Sequence, residues 1–268
     1  MPDAVVGRHV VISRGDRVAL KDSDFTIPQG AITAIIGPNG SGKSTLLHSI
    51  ANLLPISSGA LSVLGATPEL SQSQIAYVLQ YTTVPKGTPL TVKEAVGMGR
   101  YPSLGFLRRP SAEDKKRVQQ AMERLDITHL ADRHLTELSG GQRQRVYVAQ
   151  GITQDHEMLL LDEPLTGLDL NSAKTIDGII HDEPTRGCSV VLTTHDLEEA
   201  KAADHVILTS GYVVASGPPE RVLTSENLAT AYGLGSLHEK DDATPLFPTE
   251  HHEPHTHAHD QHGHDHGH

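Results

Sequence analysis

Residues 31–50 read AITAIIGPNGSGKSTLLHSI. An apolar run meets a glycine-rich turn, and apolar residues at helical spacing follow. Within the stretch, Gly37 to Thr45 fits the pattern G-x-x-x-x-G-K-[ST]. A strand entering the turn and a helix leaving it are the context that pattern requires. The helix is predicted from Lys43 to about Leu54, where Pro55 stops it. The glycines let backbone N–H groups curl around phosphates with no Cβ in the way, and the helix N-terminus adds partial positive charge. Gly37, Pro38, Asn39, Gly40, Ser41, Gly42, Lys43, Ser44 and Thr45 are thus candidate phosphate-binding residues. Lys43 is assigned to the β- and γ-phosphates and Ser44 to Mg²⁺. The bland alternative, a chance glycine-rich turn, does not explain the strand before and the helix after. The fold this implies is an α/β phosphate-loop NTPase.

Such a cradle needs an acidic partner. In MLLLDE, residues 158–163, four apolar residues make a buried strand with Asp162 at its end. Asp162 is the candidate second holder of Mg²⁺, directly or through water. Glu163 follows, placed to orient and deprotonate an attacking water.

Outward from these two motifs the pattern alternates. Strands are predicted in VVGRHVVIS, DFTIP, ALSVLG and IAYVLQ, with turns at RGDR and PQG. SAEDKKRVQQAMERLDI reads as a helix capped by Ser111, with Val118, Ala121, Met122 and Leu125 on one face. Then come a strand at MLLLD, a helix over 170–182, and strands at CSVVLTT and HVILTS. This order implies a mainly parallel sheet covered on both faces. From about Leu237 the pattern dies. Residues 238–268 are expected to be a disordered tail when metal-free.

Composition sets outer bounds. The net charge is -11, and residues 238–268, with seven acids and one lysine, supply more than half of it. No basic face is implied, which argues against nucleic acid as a partner. The single cysteine, Cys188, allows no intramolecular disulfide and reads as a structural thiol beside a buried strand. No secretory signal is expected, and no apolar run approaches the ~18–20 residues of a membrane helix.

LSGGQRQR, residues 138–145, sets a second pair of glycines after a serine at a helix start. That is another phosphate-binding surface, and one nucleotide does not need two from one subunit. Here the chain resembles the ATP-binding cassette (ABC) family. GPNGSGKST, Gln80 in YVLQ, LSGGQ, LLLDEP, Leu168–Asp169 and His195 in TTHD occur in the family's order, over about residues 5–235. The resemblance implies a cassette over 1–237 with an antiparallel β part and a helical subdomain, at about 85–155, carrying the signature. Two copies close head to tail as a homodimer, with ATP between Gly37–Thr45 of one and Ser139, Gly140, Gly141 and Gln142 of the other. It further implies that Glu163 activates water, that His195 contacts the γ-phosphate, and that Asp169 joins the two sites. Gln80 senses Mg²⁺ and links the site to an integral membrane permease. The chain would then sit at the cytoplasmic face of the membrane. One departure stands out: where the family usually stacks an aromatic residue on adenine, spacing puts Arg14, whose guanidinium can also lie on a base.

One cassette without a membrane segment or coiled coil resembles the ATPase subunit of an importer, paired with an extracellular metal-binding protein. VKEAVGMGRYPSLG and the stretches after it resemble zinc and manganese importers, with iron-chelate and haem transporters sharing parts. A metal-delivery GTPase also combines a phosphate loop with a His-rich stretch, but it needs an N-K-x-D segment, absent here. The chain's end tilts the choice toward zinc. His251, His252, His255, His257, His259, His262, His264, His266 and His268 fall in residues 251–268, and imidazole suits Zn²⁺ better than Mn²⁺. A solvated tail with no metal role is the bland alternative.

Overall fold

Apolar patterning divides the strands between two sheets. In a computed structural model, which describes residues 2–79, 89–104 and 109–233, strands β1 (Asp3–Arg14), β2 (Arg17–Pro28) and β4 (Ser58–Val63) form an antiparallel sheet, order β2-β1-β4. In β2 the side chains of Ser23, Phe25 and Ile27 are buried while Asp22 and Asp24 are exposed, the period of a half-covered sheet. The second sheet has six strands. They are β3 (Ile32–Ile36), β5 (Ile75–Val78), β6 (Met158–Asp162), β7 (Ser189–Thr194), β8 (His205–Thr209) and β9 (Val213–Gly217), in the order β5-β6-β7-β3-β8-β9. All neighbours are parallel except β8 and β9. β3, β6, β7 and β8 are buried at every position, as unbroken apolar runs require when both faces are covered.

The helices are α1 (Lys43–Ile50), α2 (Pro68–Ser71), α3 (Val92–Gly97), α4 (Tyr101–Leu104), α5 (Ala112–Arg124), α6 (Gly140–Ile152), α7 (Leu170–Asp182), α8 (Leu197–Ala202), α9 (Pro219–Val222) and α10 (Ser225–Tyr232). Successive residues of one strand feed different cores. Leu159 and Leu161 join α3, α5, α6 and α7 on one face; Met158 and Leu160 join α1 and the antiparallel sheet on the other. Each of these side chains is fully buried, worth about 1.5–3 kcal/mol apiece.

α5 begins as its sequence predicts. Ser111 Oγ accepts from Asp114 N at 3.1 Å, and Asp114 Oδ2 accepts from Ser111 N at 2.8 Å. Arg100 then clasps this cap. Its guanidinium donates to Asp114 Oδ1 at 2.9 Å and to the Thr153 carbonyl at 2.6 Å, joining the start of α5 to the end of α6. α1 is shorter than its sequence predicts. It ends at Ile50, not near Leu54, because Asn52 adopts a left-handed φ of 57° and the Leu53 and Leu54 amides turn back onto the His48 carbonyl.

The parallel order brings the carboxyl ends of β3, β6 and β7 side by side. Asp162 pairs in register with Thr193, and Ile36 with Thr194. Ligand sites of open parallel sheets form outside these ends.

Candidate active site

The turn between β3 and α1 owes its shape to Gly42. Its φ is 103°, and a Cβ there would stand 2.9 Å from the Ala19 carbonyl oxygen. A bond of 2.7 Å between Ser41 Oγ and Thr209 Oγ1 ties the turn to β8. Lys43 is buried, and its ammonium donates to the carbonyls of Gly37 (2.8 Å) and Pro38 (3.2 Å). Burial pushes its pKa down, opposed by the charges of Glu163 and Asp162.

Asp162 gathers hydroxyls. Oδ1 accepts from Ser44 Oγ at 3.0 Å and from Thr193 Oγ1 at 2.5 Å, and Oδ2 accepts from Tyr77 at 3.5 Å. A carboxylate and a hydroxyl in contact at the end of a parallel sheet are the hard oxygen donors that Mg²⁺ takes, so Ser44 and Asp162 fit that ion. Burial and the Asp162 charge push the Tyr77 phenol far up, so it stays a donor.

Glu163 leaves the strand with a left-handed φ of 46°, a conformation worth about 1–2 kcal/mol of strain in a non-glycine residue. Its amide donates to Thr193 Oγ1 at 2.9 Å, so one threonine holds both acidic positions. The carboxylate is 16% exposed, and Oε2 lies 4.0 Å from His195 Nδ1, beyond direct hydrogen bonding. Glu163 lines two clefts. One, of about 500 Å³, is also lined by Arg14, Arg17, Val18, Lys43 and Ser44; the other, about 320 Å³, by Gly37, Pro38, Asn39, His195 and Tyr232. An arginine-rich end, a lysine, oxygen donors and an acid thus occupy one continuous surface, suited to a nucleoside triphosphate.

Arg14 stands on the rim of the larger cleft. Its guanidinium donates to His48 Nδ1 at 2.5 Å, and His48 meets Tyr77 edge-on with ring centroids 5.7 Å apart. Burial, and then the Arg14 charge, hold the His48 pKa down, which suits an accepting imidazole. Sequence reading did not single out Arg17, His48, Tyr77, Thr193 or Tyr232. None left a readable cue in the chain; even Thr193's register opposite Asp162 exists only once β6 and β7 pair.

Neither cleft is lined by the signature residues. Ser139 caps α6: its Oγ accepts from Gln142 N at 3.2 Å and Gln142 Oε1 accepts from Ser139 N at 3.0 Å. Gly140 opens the helix. Gly141 abuts Asp169, which caps α7 by accepting from the Ser172 amide at 2.9 Å. A Cβ on Gly141 would meet Asp169 Oδ2 at 2.5 Å and Ser172 Oγ at 2.6 Å. Gln80 and the nine tail histidines lie outside the described residues.

A family model described as "ABC transporter" matches residues 20–166, more than half of the chain. This chain belongs to the ABC transporter family. The ABC chain is 40% identical over 235 residues to the chelated iron transport system membrane protein YfeB of Yersinia pestis, covering 87% of this chain and 79% of that one. It is 38% identical over 236 residues to the manganese transport system ATP-binding protein MntA of Synechocystis (86% and 91% covered), and 40% identical over 215 residues to the zinc transport system ATP-binding protein TroB of Treponema pallidum (80% and 81%). Among solved structures, cbiO1 from Clostridium perfringens, part of the ABC transporter complex cbiONQ, aligns with a TM-score of 0.71 at 27% identity, covering 89% of this chain and 100% of that one. As an ABC ATPase the protein uses ATP with Mg²⁺ and hydrolyses it in coupling to transport. Among the described residues no helix is long and apolar enough to cross a membrane.

Proposed function

We propose that this chain is the ATPase subunit of a transition-metal importer, with zinc as its cargo. It works as a head-to-tail homodimer against a separate membrane permease, on the cytoplasmic face, with an extracellular metal-binding protein delivering the ion. Residues 1–237 form the cassette, with the helical subdomain at about 85–155 and a tail from 238.

The observation that carries the hydrolytic reading is Thr193 holding Asp162 and Glu163 together beside Ser44. Lys43 and the backbone N–H groups of Gly37 and Asn39–Thr45 bind the β- and γ-phosphates. Ser44, Asp162 and Gln80 hold Mg²⁺, which neutralises phosphate charge. Glu163 takes the proton of the attacking water, and His195, one short step away, contacts the γ-phosphate. Ser139, Gly140, Gly141 and Gln142 cap the partner copy's nucleotide, since they line neither cleft of their own copy. Asp169 answers across the same interface, and Arg14 lies on adenine.

The metal reading is supported by relatives whose names carry chelated iron, manganese and zinc. The nine histidines of residues 251–268 favour zinc over manganese. The test is uptake by cells carrying the full transporter with or without Glu163→Gln. Accumulation of ⁶⁵Zn that stops in the variant, unaffected by excess Mn²⁺, is expected. Loss of ⁵⁴Mn uptake with zinc uptake intact overturns the zinc assignment.

A further inference from the structure

At the amino ends of β6 and β7, the opposite end of the sheet from the nucleotide cleft, three ligand-bearing side chains converge. His156 precedes β6, Cys188 precedes β7, and Glu183 stands at the end of α7. One ligand atom from each, an imidazole nitrogen, a carboxylate oxygen and Sγ, lies within 4.8 Å of the other two. The nucleotide roles use none of them. At about 3.3 Å per residue, the six steps from His156 to Asp162 span about 20 Å.

The local hydrogen bonds prepare the imidazole. Nδ1 lies 3.0 Å from the Gln154 carbonyl, which can only accept, so Nδ1 donates there and Nε2 is the nitrogen turned toward Glu183. The His156 side chain is 6% exposed. Nε2 is fully buried and faces Glu183 Oε2 across 3.2 Å as an ion pair. A buried imidazole facing a buried carboxylate needs positive charge at Nε2, which a proton supplies in the ion-free protein and a bound cation can replace. Glu183 is 2% exposed, and its other oxygen, Oε1, accepts from Arg124 at 2.7 Å, leaving Oε2 to face the histidine. Both ligands are thus oriented by outer partners in the way metal-binding residues are.

We propose that His156, Glu183 and Cys188 form a three-ligand site for Zn²⁺. Tetrahedral zinc, with bonds of about 2.0–2.3 Å, sets its ligand atoms about 3.3–3.8 Å apart, which the cluster meets with small side-chain adjustments. A nitrogen, a sulfur and an oxygen select a borderline-soft ion over Mg²⁺ or Mn²⁺. Binding releases the Cys188 thiol proton, and the ion displaces any proton from Nε2. The three residues also line an open cleft of about 900 Å³, from which water supplies the fourth ligand. This site does not depend on what the transporter carries.

Cys188 is the only cysteine in the chain, so the tail histidines cannot imitate its spectrum. The full-length protein is titrated with Co²⁺, and the thiolate-to-cobalt charge-transfer band is followed in the near ultraviolet. We expect the band to saturate at one equivalent per chain beyond what the tail absorbs, to be erased by Zn²⁺ but not by Mn²⁺, and to be absent in His156→Gln and Cys188→Ser. Cys188→Ser keeps ATP turnover, which shows that its fold is intact. Zinc at about a hundred times its dissociation constant should slow alkylation of wild-type Cys188 about a hundredfold. No cobalt band, or alkylation at the same rate with and without zinc, overturns the proposal, and this second readout needs no variant to fold.

Discussion

Ser44 Oγ donates to Asp162 Oδ1 across 3.0 Å, joining the first turn of α1 to the last residue of β6. Two residues 118 positions apart thus offer one ion two oxygens. Asp162→Asn keeps an acceptor for Ser44 and Thr193 and so keeps the fold. It removes the charge that we propose holds Mg²⁺. The Mg²⁺ concentration for half-maximal turnover is expected to rise about tenfold or more, since losing 1.4 kcal/mol of ion affinity already gives that factor. Turnover measured against Mg²⁺ at saturating ATP checks this; an unchanged midpoint removes Asp162 from the ion's shell.

Glu163→Gln is expected to bind MgATP normally and turn over about 10²–10⁴-fold more slowly, the usual loss for a general base. The amide still follows Thr193, because that bond uses the backbone N–H. Equilibrium ATP binding and phosphate release are the two measurements. Near-normal release would show that another group takes the proton.

Arg14→Ala is expected to weaken ATP binding by about 0.5–2 kcal/mol through loss of the guanidinium over adenine. The variant also frees His48 Nδ1. Comparing ATP with inorganic triphosphate separates the two effects: a base contact weakens only the nucleotide. Equal losses for both ligands put Arg14 on the phosphates instead.

Acid reaches the helical part through Asp114. Hydrogen bonds from Ser111, and then the Arg100 guanidinium, hold its carboxyl down at about 2. A depressed pKa contributes stability that is full above the unfolded value, about 3.9, and is lost as pH falls through the folded one. The difference in melting temperature between wild type and Asp114→Asn should therefore be largest above pH ~4 and shrink toward pH ~2. A difference independent of pH across that window refutes the assignment.

A chain ending at Leu237 is expected to retain its basal turnover. It should lose the zinc held by the nine tail histidines and keep the single equivalent bound at His156, Glu183 and Cys188. Near pH 5.5 the tail's uptake falls, because imidazoles with an ordinary pKa of about 6.5 become protonated. Titration calorimetry on both lengths decides it; equal zinc uptake leaves the tail a solvated extension.

Much of the fold was legible because local chemistry and long-range packing agree. β6 and α7 have the limits their apolar runs set, and Val118, Ala121, Met122 and Leu125 are all buried as the helical spacing of α5 requires. The phosphate turn was legible because its glycines serve one backbone shape. The residues that complete the site were not. Thr193 acts through a pairing between strands, Tyr77 and His48 through a contact between a strand and a helix, and neither leaves a spacing in the chain. His156 and Cys188 read as scattered structural residues because each stands alone in sequence, 32 positions apart.

The bare α-carbon of Gly141 has a mechanical consequence. With no room for a methyl group between it and Asp169, the start of α6 is seated in the start of α7 like a key in its slot. Neither turn can slide past the other without opening a gap or driving atoms into overlap. Any force that shifts the signature turn is therefore passed directly to Asp169, and the starts of α6 and α7 move as one unit.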